Sequence, residues 1–81
     1  MPSEPPPDWV LTRRRAVGDH IRTVRLHRNW TQERLAEQAG LDRQAINRIE
    51  YGHAAMKLDT LFLIANALDV PASSLLAEPA T

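Results

Sequence analysis

Four polar residues, Arg43, Gln44, Asn47 and Arg48, lie at a spacing that gathers them on one face of a helix. Their chemistry is hydrogen bonding rather than bond breaking. The fork of an arginine matches the O6 and N7 edge of guanine, and the amide of a glutamine matches the N6 and N7 edge of adenine. The same four residues would also satisfy the plain need of a short helix for a solvated outer face, so their neighbours must decide between the two. Other chemistries are poorly served. Cysteine is absent, and the serines, Ser3, Ser73 and Ser74, stand in no nucleophile motif. His20 and His27 are two helical turns apart, roughly 10.5 Å along an axis, too far to share one ion. His53 falls on a separate loop. The expectation is a chain with no catalytic residue, no metal and no cofactor.

The elements that carry the polar face are written in residues 31–52, TQERLAEQAGLDRQAINRIEYG. Gln32 opens a helix with Thr31 as its N-cap, and Glu33 complements the helix dipole. Leu35, Ala36 and Ala39 share one face. Gly40 breaks the pattern where the backbone needs positive φ. Leu41 points inward. Asp42 is placed to cap a second helix with Ile46 and Ile49 inward, and Gly52 ends it. A small residue at 36 permits a close crossing, glycine at 40 makes the corner, and a β-branched residue at 46 wedges between the helices. Those are the demands of a helix-turn-helix, whose second helix enters the DNA major groove.

The run T-Q-x-x-L-A-x-x-A-G-L followed by I-x-R-I-E-x-G resembles the phage repressor and Cro family of DNA-binding domains, also called the XRE family. The resemblance extends without a gap from Val17 to about Leu76. It implies an all-α fold, a compact five-helix bundle, with double-stranded DNA as the partner. By family position Arg43 and Gln44 read base edges, while Asn47 and Arg48 reach a base or a phosphate. Gln32 meets the phosphate backbone at the N-terminus of the first motif helix, and Tyr51 and His53 are further phosphate candidates in the loop that follows. The chain departs from the family between residues 53 and 58, where Met56 and Lys57 replace the usual proline and serine cap. Lys57 then supplies the displaced positive charge. The resemblance also implies an ion pair between Arg25 and Glu50, and the residues agree. Each follows an inward aliphatic, Val24 and Ile49, so both lie beside the core, where a guanidinium suits a bidentate carboxylate contact.

The rest of the chain fits one domain. Eighty-one residues allow a single modest core. The net charge is zero, but all nine arginines fall between residues 13 and 48 against four acids, a net of +5, and the remainder carries one lysine against six acids, −5. That polarity suits a DNA-facing half and a half that faces solvent or a partner. Residues 1–11 read as a flexible proline-rich arm, since Pro5, Pro6 and Pro7 favour polyproline geometry. Trp9, Val10 and Leu11 are apolar enough to fold back over Leu26 or Phe62. The domain spans 12–77, with a frayed tail at 78–81. The first helix is expected over 13–28, capped by Thr12, with Val17, Ile21 and Val24 inward and Asn29 as a left-handed stop. Trp30 is a core anchor, whole or half buried. A fourth helix over 58–68 buries Leu58, Leu61, Ile64, Ala65 and Leu68, and closes at Asp69. A fifth, over 72–77, places Leu75 and Leu76 in the core behind Val70. No basic-then-apolar leader opens the chain, and its strongest apolar run is too short to span a bilayer, which fits a cytoplasmic protein without a membrane partner.

These expectations converge on a sequence-specific transcriptional regulator, active as a homodimer on a palindromic operator. Phe62, Leu63 and Leu26 leave the buried stripes and offer apolar surface for that contact. A second class shares the frame: an antitoxin that binds a protein partner and its own operator. A third is an adaptor that has lost DNA binding, which the +5 segment argues against.

Overall fold

Proline cannot enter a helix interior, but its fixed φ suits the residue just before one. In the computed structural model, which describes residues 4–78, Pro7 is accordingly the N-cap of α1 (Asp8–His27). The first helix thus begins at Asp8, where a carboxylate favours the helix dipole, and not near Arg13. Thr12 caps nothing; its hydroxyl donates to the Asp8 carbonyl from inside the helix at 3.1 Å. Trp9, Val10 and Leu11 are therefore helix, not arm. Along one rigid rod, Trp9 and Leu26 are roughly 25 Å apart, so the first turn cannot fold back over Leu26. The remaining ends, residues 1–3 of the arm and 79–81 of the tail, lie outside the described residues.

The short helices follow the local signals closely. α2 (Gln32–Ala39) starts at Thr31, whose hydroxyl accepts from the Arg34 N–H at 3.0 Å. α3 (Arg43–Glu50) starts after Asp42, which holds the extended cap conformation without a side-chain cap bond. α4 (Leu58–Leu68) and α5 (Ala72–Leu75) complete an all-α bundle. Four of the five helices end the same way. Asn29, Gly40, Gly52 and Asp69 take left-handed φ values of 57°, 72°, 72° and 56°. After each, the next N–H reaches back to a helix carbonyl: Trp30 to Arg25, Leu41 to Ala36, His53 to Arg48 and Val70 to Ala65. This closure satisfies orphan carbonyls and turns the chain sharply.

The core is aliphatic. Ile21 of α1, Leu35 of α2, Ile46 of α3, Ile64 and Leu68 of α4, and Leu75 of α5 are fully buried. Val17, Val24, Trp30, Leu41 and Val70 pack against them half buried. Two expected core members are not there. Leu58 is 66% exposed and Leu76 46% exposed. Leu58 is the first residue of α4, and α5 stops at Leu75, so both overhang an open apolar groove floored by Val17, Ile49 and Leu61. Leu26, Phe62 and Leu63 face outward, as their places off the buried stripes predict.

Gly18 decides how closely α1 and α3 approach. A Cβ built there would lie 2.4 Å from the Ile49 carbonyl oxygen and 2.6 Å from that of Glu50. Only a residue without a side chain lets the two backbones touch. Two residues on, His20 also joins α1 to another helix. It is half buried and its Nδ1 donates to the Leu75 carbonyl at 3.0 Å, tying α1 to α5. Among the described residues, no helix is long and apolar enough to cross a membrane.

Candidate nucleic-acid interface

α3 lies with Ile46, Ile49 and Glu50 turned into the protein. Its opposite face presents Arg43, Gln44 and Arg48 to solvent. Arg43 and Gln44 are the first two residues of the helix, where orphan backbone N–H groups and the positive end of the dipole add to the attraction for an anionic partner. Asn47 shares this face but is half buried, because it is bound sideways. Its amide donates to Gln32 Oε1 at 3.2 Å.

That bond belongs to a chain that runs into the core. Gln32 Nε2 donates to Glu50 Oε1 at 3.2 Å. The Glu50 carboxylate also accepts from Arg25, from Nε to Oε2 at 2.7 Å and from Nη2 to Oε1 at 2.9 Å. Arg25 spends Nη1 on the Trp30 carbonyl, 2.8 Å away. The structure thus links Arg25, Glu50, Gln32 and Asn47 in one chain of side-chain hydrogen bonds. No buried side-chain polar atom among the described residues lacks a partner, as burial of charge requires.

The two flanks of α3 differ. On one, Gln32 stands at the first turn of α2, beside Asn47. On the other, Arg48 and Lys57 line one shallow depression with Ala45 and Thr60. Lys57 is the N-cap of α4 and exposed, which places its charge next to Arg48 rather than near Gln32. Tyr51 and His53 straddle Gly52 at the end of α3. Both are exposed, with rings 6.0 Å apart and tilted by 33°. Their position follows from the turn at Gly52, which bends the chain back so that the His53 N–H bonds the Arg48 carbonyl at 2.8 Å.

Three further cations adjoin this surface without any local signal in the sequence. Arg28 and Arg34 each place a guanidinium 5.6 Å from the centre of the Trp30 ring. The half-buried indole gathers two charges next to the N-terminus of α2, a cation–π arrangement that sequence spacing does not announce. Arg15 packs against Gly52, with its Cγ 2.6 Å from where a glycine Cβ would be. Its backbone and the start of its side chain thus lie against the turn between Tyr51 and His53. The concentration of arginine between residues 13 and 48 is the one sequence feature that pointed to all three.

The helix-turn-helix family model matches residues 21–75. A hypothetical transcription factor of Neisseria meningitidis is 34% identical over 79 residues, which make up 98% of this chain and 73% of that protein. The crystal structure of the hypothetical transcription factor NHTF from Neisseria superposes with a TM-score of 0.79 at 34% identity, over 98% of this chain and 88% of that one. The restriction-modification controller protein C.AhdI of Aeromonas hydrophila superposes with a TM-score of 0.74 at 31% identity, over 75% of this chain and 92% of that one.

Proposed function

The chain belongs to the helix-turn-helix family and is a DNA-binding transcriptional regulator, and from that premise we propose that it reads the major groove with α3 as a homodimer on a palindromic operator. The observation that carries this reading is the outer face of α3. Arg43, Gln44 and Arg48 are exposed there beside the N-terminus of α2, while the opposite face of the same helix is buried. Arg43 would take guanine and Gln44 adenine, with Asn47 and Arg48 on bases or phosphate further along. Gln32 on one flank and Lys57, Tyr51 and His53 on the other would hold the two phosphate backbones that border a groove. Arg15, Arg28 and Arg34 extend those flanks. The role is binding, not catalysis, and its place is the cytoplasm.

Dimerisation is supported by apolar surface beyond the core. Leu58 and Leu76 overhang one apolar groove, and Phe62 and Leu63 on α4 are exposed as well, apolar surface that pairing would cover. One recognition helix covers few base pairs, and two half-sites about 34 Å apart supply the rest.

Binding-site selection from random duplexes with the purified protein tests the reading. An enriched inverted repeat with half-sites one helical turn apart is the expected result. Recovery of no motif would overturn it.

A further inference from the structure

The amide of Asn47 can meet a base in two ways, because one end accepts and the other donates. The neighbours remove that freedom. Glu50 is a buried carboxylate engaged by Arg25, and as an ionised acid it can only accept. Gln32 must therefore turn its NH2 toward Glu50, and its carbonyl is left pointing at Asn47. A carbonyl there can only accept, so Asn47 must turn its own NH2 toward Gln32. Each amide is set by the group behind it, and the order starts at a charge fixed in the core. What remains free on Asn47 is Oδ1 and one N–H. When the N–H turned to Gln32 is the one trans to Oδ1, the free pair is a fork, an acceptor beside a donor, which is the complement of adenine N6–H and N7.

We infer that Asn47 is an adenine-reading residue of α3, and that Glu50, acting through Gln32, fixes which way its amide is presented. The inference rests on the proposed major-groove reading and deepens it. Gln32 is then a positioning residue as well as a backbone contact. One of its N–H groups goes to Glu50 and the other is still available to a phosphate. Arg43 and Gln44, by contrast, are exposed at the helix start and have no side-chain partner among the described residues.

The test begins with the motif selected by the wild-type protein. Asn47→Ala should lose its preference at one base pair of each half-site and keep the others. Gln32→Met, similar in length but unable to hydrogen bond, should lower binding overall and also lose preference at that same base pair. A site in which purine replaces adenine there lacks only the N6 amino group. It should bind wild type about tenfold more weakly, the worth of roughly one good hydrogen bond, and bind Asn47→Ala without penalty.

Two results would overturn the inference while leaving the major-groove reading intact. One is a Gln32→Met protein weakened equally on every sequence, with the wild-type preference kept at the base pair that Asn47→Ala affects. The other is a purine-substituted site that costs Asn47→Ala as much as it costs wild type. Selection of no motif by wild type would instead remove the underlying reading. Both variants alter half-buried surface positions, so folding is checked by their thermal melts beside that of wild type.

Discussion

Arg25 donates two parallel hydrogen bonds to Glu50, at 2.7 and 2.9 Å, and so joins α1 to α3 through a pair that is almost fully buried. The guanidinium side chain is 10% exposed and the carboxylate 0%. Two charges out of water are tolerable only when they are well paired, and a third contact, to the Trp30 carbonyl, gives each guanidinium nitrogen a partner.

Glu50→Ala should therefore cost far more than a surface charge. It strands Arg25 and removes the acceptor for Gln32. The expected loss is about 3–5 kcal/mol, against less than about 1 kcal/mol for an exposed pair. Urea denaturation measures the difference, and a loss within error of zero would contradict the buried geometry.

Gly18→Ala sets helix propensity against packing. Alanine favours α1 by about 0.8–1 kcal/mol. Its Cβ would also press on the backbone oxygens of Ile49 and Glu50, which cannot rotate away as a side chain could. Overpacking of this kind costs about 1–3 kcal/mol, so the net change should be a loss of stability. A raised melting temperature would show that α1 and α3 can separate at little cost.

Asp69→Gly should act in the opposite direction. Asp69 is held at φ 56° just past α4, where a side chain is strained and a negative charge opposes the helix dipole. Glycine relieves both and loses part of the gain to the entropy of the unfolded chain. A stabilisation of about 0.5–1 kcal/mol is expected from the midpoint of a denaturant titration.

DNA affinity should fall steeply with salt, because phosphate contacts release counterions. Arg34→Ala should reduce the slope of log affinity against log salt by about 1 and weaken all sequences alike. Arg43→Ala should instead relax preference at particular base pairs, by about 1–3 kcal/mol. Identical, sequence-independent losses in the two variants would refute the division between reading and holding.

Phe62→Ser combined with Leu63→Ser leaves the buried stripe of α4 untouched, since both side chains are exposed. If this face pairs two copies, the variant should sediment as a monomer. Its advantage on a palindrome over a single half-site should drop on the order of a hundredfold. Wild type that stays monomeric with and without the palindromic site would exclude the dimer itself.

The sequence by itself determined the helices whose limits are local matters. Thr31 caps α2, Gly40 and Gly52 take positive φ, and the apolar spacing of Leu35, Ile46, Ile49, Leu61 and Leu68 names the core. A cap, a left-handed corner and a buried stripe each need only a few neighbouring residues. The tertiary structure decided what depends on distant partners. Pro7 and Asp8 start α1, although Thr12 looked the better cap, because a stop signal from proline does not say how soon a helix follows. Leu58 and Leu76 are as apolar as Leu61 and Leu75, but the groove beside them is open. Gly18 carries no local signal for its role, which only the Ile49 and Glu50 backbone against it explains. His20 meets Leu75, and Gln32 joins Glu50 to Asn47, across separations that no local periodicity encodes. Such contacts exist only once packing has brought the helices together, which is why the direction in which Asn47 faces its partner was settled by the fold and not by the residue type.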